Sequence, residues 1–533
     1  MIFRAGWLPF HLLLCCVMAI DDTAYLSDGT VIRGKIYDDI VMFKGIPYAQ
    51  PPIGDLRWSP PKPWINSDPT TVVDATKYGS ACVQGFTSMH GSEDCLFLNI
   101  YIPTTAGNNT SLPVGLFFHG GSYRTGTGNM YRGSDMVKFF NGQGIIVTIN
   151  YRLNVFGFIG SAELRSQDSE SGSTGVYGLQ DQRLAMQWVK SNIEAFGGDG
   201  NNVMIFGESA GAGSISCHLA MQRSWGLFSS AVLESGSFTH WAANNMSNAE
   251  ATYNNLLSAA GCGSLSCLLD MPTEDIFTAS LKVHSPDPSV YDSPYYPAVD
   301  GVEMMSHPYI ALSVGAVADV TIMHGTNSDE GSMFCIELPK DMDHQQLEAY
   351  WTAQGYSEYQ INTLNELYVD GKSYPDGASK YWYAAERSTG DDVMSCPANY
   401  ASRQLSSLRD HTSPVYLYFF DHRRTNMNYV AHFSEVPFVF HWEYIMRNEE
   451  DQRMADVMTS YWGNFIVDPN HDPSSGVVGV KDVPNWPAYG QSDFSQTLIN
   501  ADDIELVSDL KKEECDFFLP LMDEEIRMNF PAL

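Results

Sequence analysis

Two glycines on either side of a serine constrain this chain more than any other feature of its sequence. Residues 206–214 read FGESAGAGS and place Ser209 between Gly207 and Gly211. The apolar run at 203–206 predicts a short buried strand before the serine, and residues after Gly211 can form a helix. In so sharp a strand-to-helix turn, the positions two before and two after the serine must be small, or their side chains would collide with the strand and the helix. The pattern therefore predicts a serine hydroxyl that stands clear at the end of a strand.

A serine in such a turn becomes a nucleophile only when other groups activate it. It needs a base that takes its proton and oriented N–H groups that stabilise an oxyanion. A strand predicted at 114–118 runs into HGGS at 119–122, where the glycines let backbone amides approach a carbonyl oxygen closely. We assign the predicted oxyanion donors to the N–H groups of Gly121, Ser122 and Ala210.

The acid and the base should follow the serine along the chain, in that order. A predicted strand ending near residue 325 leads into a loop with two carboxylates, Asp329 and Glu330. The next strong predicted strand, at 415–420, is followed most closely by His422 and His432. Position along the chain leaves both choices open.

The length of 533 residues and the even distribution of Pro, Gly and Ser predict one large domain over residues 20–533. Residues 1–19 carry Arg4, then an apolar stretch that ends in small residues, which is typical of a secretory signal peptide. That stretch is too short to span a bilayer comfortably. We therefore expect a secreted protein with no stable membrane insertion.

Charge and cysteine spacing exclude several classes of partner. The chain has 30 Lys and Arg against 63 Asp and Glu, a formal net charge of −33, so its surface should repel nucleic acid and anionic headgroups. Loss of the leader leaves eight of the ten cysteines, and pairs of them should persist in an oxidising compartment. Their spacing is irregular and includes no CxxC, so we predict disulfides and neither a metal nor a cofactor.

Further stretches make the chain resemble the type-B carboxylesterase and cholinesterase family of α/β-hydrolases. They are FKGIPYA at 43–49, EDCLFLNIY at 93–101, FGGD at 196–199, the serine stretch and DEG at 329–331. The resemblance covers nearly the whole mature chain. It implies an α/β fold with a large, mostly parallel central sheet flanked by helices, with insertions. It also implies hydrolysis of small-molecule carboxylic esters through an acyl-enzyme.

The resemblance assigns roles to individual residues. It implies Glu330 as the acid, and His432 as the base because HFSEVPFVF at 432–440 looks like the family's histidine segment. Trp241 looks like the family's acyl-pocket tryptophan, and the alternative is a tryptophan packed in the core. The same two interpretations, pocket or core, apply to Phe334. Glu208 is either an electrostatic helper near the pocket or a buried hydrogen-bonding scaffold residue, and we favour the scaffold.

The same resemblance implies structural pairs. The disulfides it implies are Cys82–Cys95, Cys262–Cys267 and Cys396–Cys515, which would leave Cys217 and Cys335 free. The ion pairs it implies are Arg57 with Glu93 and Arg152 with Asp181. Three asparagines lie in N-x-[ST] sequons and are candidates for glycosylation on surface loops. They are Asn108, Asn109 and Asn245.

Some positions depart from the family pattern. Ser122 stands where many relatives have a third glycine, and Phe433 stands where a small residue is common and could narrow the pocket. The loop at 83–94 has Phe86 as its only aromatic residue and lacks the choline-stacking tryptophan of cholinesterases. The alternatives to a carboxylesterase are cholinesterase-like or lipase activity, and a non-catalytic secreted adhesion or storage protein on the same fold. The oligomeric state is not indicated.

Overall fold

Short apolar segments form the strands of this protein, because a strand covered on both faces needs no polar side. The structure is a computed structural model that describes residues 22–531, except 69, 108–109, 169–170, 287–292, 426, 471, 477, 481–482, 491–493 and 501–502. The predicted signal peptide and the sequons at Asn108 and Asn109 lie outside the described residues. The strands are β1 (Thr23–Tyr25), β2 (Val31–Arg33), β3 (Lys35–Tyr37), β4 (Ile40–Pro47), β5 (Val72–Asp74), β6 (Phe97–Pro103), β7 (Leu112–Phe118), β8 (Ile145–Ile149), β9 (Gly198–Glu208), β10 (Ser230–Glu234), β11 (Thr321–Asn327), β12 (Val415–Phe420), β13 (Ser495–Ile499) and β14 (Ile504–Ser508).

One large sheet organises the described chain, in the order β14-β13-β12-β11-β10-β9-β7-β8-β6-β4-β3. Its central strands, from β8 to β13, run parallel to one another, and the outer strands at both edges pair antiparallel. A small second sheet pairs β1, β2 and β5. The carboxyl ends of the parallel strands therefore meet at one edge, where ligands bind in open α/β sheets.

Helices cover both faces of the sheet. They are α1 (Gly133–Phe139), α2 (Asn154–Phe158), α3 (Ala162–Gln167), α4 (Tyr177–Asn192), α5 (Ala210–Ala220), α6 (Met246–Ala260), α7 (Leu265–Leu269), α8 (Thr273–Ser280), α9 (Pro308–Ser313), α10 (His344–Ala353), α11 (Glu358–Tyr368), α12 (Lys380–Gly390), α13 (Cys396–Ser407), α14 (Val436–Val439), α15 (Glu449–Val467) and α16 (Lys512–Asn529). Side chains alternate between the two faces of a strand. In β9, Ile205 accordingly joins the core under α4 and α5, while Phe206 joins the core under α1 and α15.

The three implied disulfides are present in the structure, and Cys217 and Cys335 are free and buried. Cys396 and Cys515 tie α13 to α16, and so join the helical insertion between β11 and β12 to the last helix. Both implied ion pairs also form, with closest contacts of 2.7 Å for Arg57–Glu93 and 2.8 Å for Arg152–Asp181. Within the described ranges, every helix falls short of the length and apolarity that a bilayer span requires.

Removing the disulfide between α13 and α16 should destabilise the protein more than removing a local one. Cys396 and Cys515 are 119 positions apart, and Cys262 and Cys267 are 5 apart. On the chain-entropy model the long loop contributes about 5 kcal/mol and the short loop about 2 kcal/mol. We expect Cys396→Ala/Cys515→Ala to lower the denaturation midpoint more than Cys262→Ala/Cys267→Ala in parallel urea titrations. Equal midpoints would contradict this role for the long loop.

Candidate active site

Ser209 occupies the sharp turn between β9 and α5. Its φ is 56° and its ψ is −123°, in a region that residues with a side chain rarely adopt. Its N–H donates to the Glu234 carbonyl at 2.9 Å, which fixes the turn to the neighbouring strand β10. The strained conformation costs about 1–3 kcal/mol, and such strain concentrates at functional sites.

The glycines around Ser209 make room for a neighbouring strand. A Cβ on Gly207 would lie 2.6 Å from the carbonyl oxygen of Phe118, at the end of β7, and a Cβ on Gly211 would overlap the same oxygen. The need for small residues was correctly predicted. The principal obstacle, however, is the Phe118 carbonyl rather than the strand and helix of the turn itself.

The loop after β7 lies directly against Ser209. A Cβ on Gly120 would stand 2.9 Å from the Cβ of Ser209. Gly121 has a φ of 107°, and Ser122 adopts a φ of 54° although it is not a glycine. Among the described residues, no group accepts a hydrogen bond from the N–H of Gly121, Ser122 or Ala210. The three N–H groups are thus left available beside the serine.

The structure separates the two carboxylates of the loop after β11. One oxygen of Glu330 accepts a hydrogen bond from His432 Nδ1 at 2.6 Å, and the other accepts the N–H of Asn327 at 2.7 Å. Asp329 pairs instead with Arg387, and it accepts the N–H of Val430 at 2.7 Å. Asp329 therefore anchors the loop that carries the histidine, and Glu330 orients the imidazole.

The structure also separates the two histidines. His422 Nε2 lies 3.0 Å from Asp451, in a buried pair that does not include Glu330. His432 is buried beside Glu330, and its Nε2 lies 3.1 Å from Glu208 Oε1. That nitrogen forms no hydrogen bond with any described group, Ser209 included. Glu208 Oε1 likewise forms no hydrogen bond with a described group and contacts the imidazole as an ion pair, so both the electrostatic and the scaffold interpretation of buried Glu208 stay predictions.

Burial and charge shift the pKa values of these groups. Burial alone would lower the pKa of His432, but the carboxylates of Glu208 and Glu330 outweigh it and raise that pKa to about 9. Burial raises the pKa of Glu208 to about 8, against the opposing effect of the imidazole. Burial, together with the nearby charge of Glu330, raises the pKa of Glu435 to about 7. The imidazole therefore lies in a buried acidic cluster that favours its charged form.

A cavity of about 470 Å³ between its lining atoms opens onto Ser209, and we call it the serine cavity. Its lining residues are Ser122, Tyr123, Ser209, Trp241, Ser293, Tyr296, Phe334 and Met394. Trp241 and Phe334 thus line it, and the Phe334 ring lies 5.3 Å from the ring of His432. Glu208 and Phe433 do not line it. Phe433 packs instead against Tyr131 and Trp442, so it leaves the cavity's width unchanged.

Several residues of the site were missed by sequence reasoning. Met394 reaches the serine cavity from a single π-helical turn, Asp391–Ser395, between α12 and α13. In the same turn, the carbonyl of Val393 accepts a hydrogen bond from Trp241 Nε1 at 3.2 Å. Ser235 donates to Glu330, and the Glu435 carboxylate accepts from Asn327 at 2.6 Å. The position of Glu435 three residues after the histidine was a signal that could have been used.

The sheet, the strained turn and the loop order define this protein as an α/β-hydrolase. The Carboxylesterase family model matches residues 22–518. Para-nitrobenzyl esterase of Bacillus subtilis (strain 168) is 32% identical over 519 residues, which cover 92% of this chain and 98% of that protein. Cholinesterase of Mus musculus is 30% identical over 524 residues, which cover 90% of this chain and 83% of that protein. A solved carboxylesterase of Geobacillus stearothermophilus superposes with a TM-score of 0.78 at 30% identity, covering 93% of this chain and all of that one (100%).

The chain therefore belongs to the carboxylesterase family, as its resemblance predicted. The predicted fold class is likewise confirmed, since the matching solved structures are esterases with the same large, mostly parallel sheet flanked by helices. Membership of this family supports the hydrolysis of carboxylic esters.

A methyl group on Gly211 should damage the fold as well as the turn. In Gly211→Ala the new Cβ overlaps the Phe118 carbonyl, a backbone atom that cannot rotate away. We expect the free energy of unfolding to fall by at least about 1–3 kcal/mol in denaturant titrations. The matched control is Gly263→Ala, since a Cβ there meets no atom within 4 Å. Equal stability of the two variants would refute the proposed collision.

Proposed function

We propose that this protein is a serine hydrolase that cleaves small-molecule carboxylic esters through an acyl-enzyme. Ser209 is the nucleophile, His432 the general base and Glu330 the residue that orients the base. The N–H groups of Gly121, Ser122 and Ala210 stabilise the oxyanion. The observation that carries the proposal is the 2.6 Å hydrogen bond from His432 to Glu330, because it directs the imidazole's other nitrogen toward the serine turn, where it lies 3.1 Å from Glu208, the residue before Ser209.

The reaction follows from these positions. His432 Nε2 takes the proton of Ser209, whose oxygen attacks the ester carbonyl and forms a tetrahedral oxyanion. The charged imidazole, stabilised by Glu330, then protonates the departing alcohol. Water repeats the sequence on the acyl-enzyme and releases the acid. Because Nε2 faces Glu208 in the free protein, the imidazole must turn toward the serine oxygen, and catalytic hydrogen bonds commonly tighten only when substrate binds.

The available N–H groups and the open serine cavity favour an enzyme over a non-catalytic adhesion or storage protein. A binding protein has no need for a strained serine, an oriented imidazole and free amides together. Cholinesterase-like activity is disfavoured, because the only aromatic side chain of the 83–94 loop, Phe86, already faces the guanidinium of Arg124 at 5.4 Å. The proposed substrates are therefore esters that carry no quaternary ammonium group.

We also propose that the protein is secreted after removal of residues 1–19. The three disulfides are consistent with an oxidising compartment. Asn245 is half-buried and caps α6 by accepting the N–H of Asn248 at 2.8 Å. A glycan at Asn245 would have to leave that capping bond in place, and we retain it as a candidate.

Loss of the serine hydroxyl should remove ester hydrolysis without unfolding the chain. We expect Ser209→Ala to lower kcat for 4-nitrophenyl butyrate by at least about 10⁴-fold, since no other group supplies the nucleophile. Ser258→Ala, an exposed serine on α6, is the control and should keep wild-type turnover. Circular dichroism should report the same fold for both. Turnover by Ser209→Ala within tenfold of wild type would end the proposal.

Glu208 should set the pH at which the base becomes available. The carboxylate of Glu208 is the strongest influence that raises the pKa of His432, so Glu208→Gln should lower that pKa. The neutral, basic form of the imidazole exists above its pKa. The acid limb of kcat/KM against pH should therefore move to lower pH, by about one unit or more. Glu450→Gln removes an exposed charge on α15 and should leave the limb in place. A limb that stays fixed or moves upward in Glu208→Gln would contradict this role.

A further inference from the structure

Next to the serine cavity lies a second cavity of about 460 Å³, which we call the arginine cavity. Its walls combine polar groups with apolar side chains, among them Phe277, Leu281, Val283 and Tyr295. Among the described residues of this lining, Arg124 is the one whose side chain is permanently positive. His284, which also lines the cavity, is exposed. The cavity thus combines an apolar wall with a fixed cation.

The two cavities have adjoining walls. Tyr123 lines the serine cavity and Arg124, the next residue, lines the arginine cavity. In the same way Tyr296 lines the first cavity and Tyr295 the second. The two linings therefore draw on the same two chain segments, at residues 123–124 and 295–296.

Arg124 is held in place by its backbone. Its N–H donates to the Gly121 carbonyl at 2.9 Å, within the loop that carries the proposed oxyanion donors. Asn154 donates from its side chain to the Arg124 carbonyl at 3.5 Å and to the Val83 carbonyl at 2.6 Å. The backbone from which the guanidinium extends is therefore tied to the loop of the proposed oxyanion donors.

The guanidinium of Arg124 carries a charge that no described carboxylate neutralises. The buried Arg57 and Arg152 and the half-buried Arg387 each pair with an acidic side chain, whereas Arg124 is half-buried without such a pair among the described residues. The Arg124 guanidinium contacts the ring of Phe86, 5.4 Å from Cζ, and none of its five N–H groups donates a hydrogen bond to a described residue.

We propose that the arginine cavity binds a free carboxylate of the substrate, so that the preferred esters carry a negative charge away from the bond that is cleaved. A guanidinium presents paired N–H donors that match a carboxylate, and a partly buried setting strengthens the contact. The apolar walls accept the carbon chain between the two groups. The same guanidinium repels a cationic substrate. This inference rests on the proposed ester hydrolysis, for which it names the substrate class.

Matched esters test the inference. The first pair is 4-nitrophenyl hexanoate and the mono-4-nitrophenyl ester of adipic acid, which differ by a terminal carboxylate on the acid part. The second pair, phenyl hexanoate and 4-carboxyphenyl hexanoate, places the charge on the alcohol part. For each pair the quantity measured is the ratio of kcat/KM for the charged ester to that for the neutral ester. The variants are Arg124→Gln, Arg124→Lys and Arg124→Glu.

We expect Arg124→Gln to lower this ratio by about ten- to hundredfold in at least one pair, because hydrogen bonds to a charged group are lost. Arg124→Lys should keep part of the preference and Arg124→Glu should reverse it. The control Arg409→Gln removes an exposed positive charge beyond α13 and should leave the ratio unchanged. Ratios that are equal in wild type and Arg124→Gln for both pairs, or an equal loss in Arg409→Gln, would overturn the inference.

Binding distinguishes a failure of the inference from a failure of the proposed function. The mono-4-nitrophenyl adipate can be titrated into Ser209→Ala and into Ser209→Ala/Arg124→Gln by calorimetry. Binding weaker by tenfold or more in the double variant supports the carboxylate site even if the wild type cleaves neither ester. Equal binding by the two variants overturns the site even if the wild type hydrolyses both esters.

Discussion

The close approach of the Phe118 carbonyl to the serine turn is the constraint on which the rest of the site depends. Because β7 and β9 are neighbours in the sheet, the last carbonyl of β7 occupies the space where side chains at Gly207 and Gly211 would project. Any side chain at Gly211 would push the two strand ends apart. The contact brings the loop after β7, with its unpartnered N–H groups, against Ser209. A packing requirement between two strands thus places the proposed nucleophile beside the proposed oxyanion donors.

The other end of the site depends on a second pair of strand ends. Asp329, after β11, binds the backbone of Val430 and the side chain of Arg387, and so fixes the loop that carries His432 next to Glu330. The imidazole is then enclosed by buried carboxylates at 208, 330 and 435. Burying so many acidic groups is unfavourable unless they are paired, hydrogen-bonded or protonated. The raised pKa values of Glu208 and Glu435 are the physical response to that burial, and the charge of the His432 imidazole depends on these neighbours.

Sequence reasoning reached the parts of this arrangement that are local. The spacing of Gly207, Ser209 and Gly211 between apolar runs predicts a strand, a turn and a helix, and β9 and α5 are found there. Resemblance supplied the choice of Glu330 over Asp329 and of His432 over His422, and the hydrogen bond between Glu330 and His432 agrees with it. Spacing alone could not make either choice, because all four side chains are buried and polar.

What the sequence did not reveal depends on contacts between distant segments. The approach of Glu208 to His432 joins residues more than two hundred positions apart, and it depends on the packing of two loops at one sheet edge. The entry of Met394 into the serine cavity depends on one π-helical turn, which leaves no periodic signal. The position of Arg124 in an adjoining cavity depends on residues 277–284 and 294–295 as well as on its own loop. Such features require the tertiary structure.

The central claim is that Ser209 is a nucleophile activated by His432, and covalent labelling tests it most directly. The protein is incubated with a fluorophosphonate, digested, and its peptides are mapped by mass spectrometry. The account requires one adduct per chain, on Ser209, with labelling slowed at least about a hundredfold in His432→Ala. Absence of an adduct from the folded protein, an adduct on another serine, or unchanged labelling in His432→Ala would contradict it.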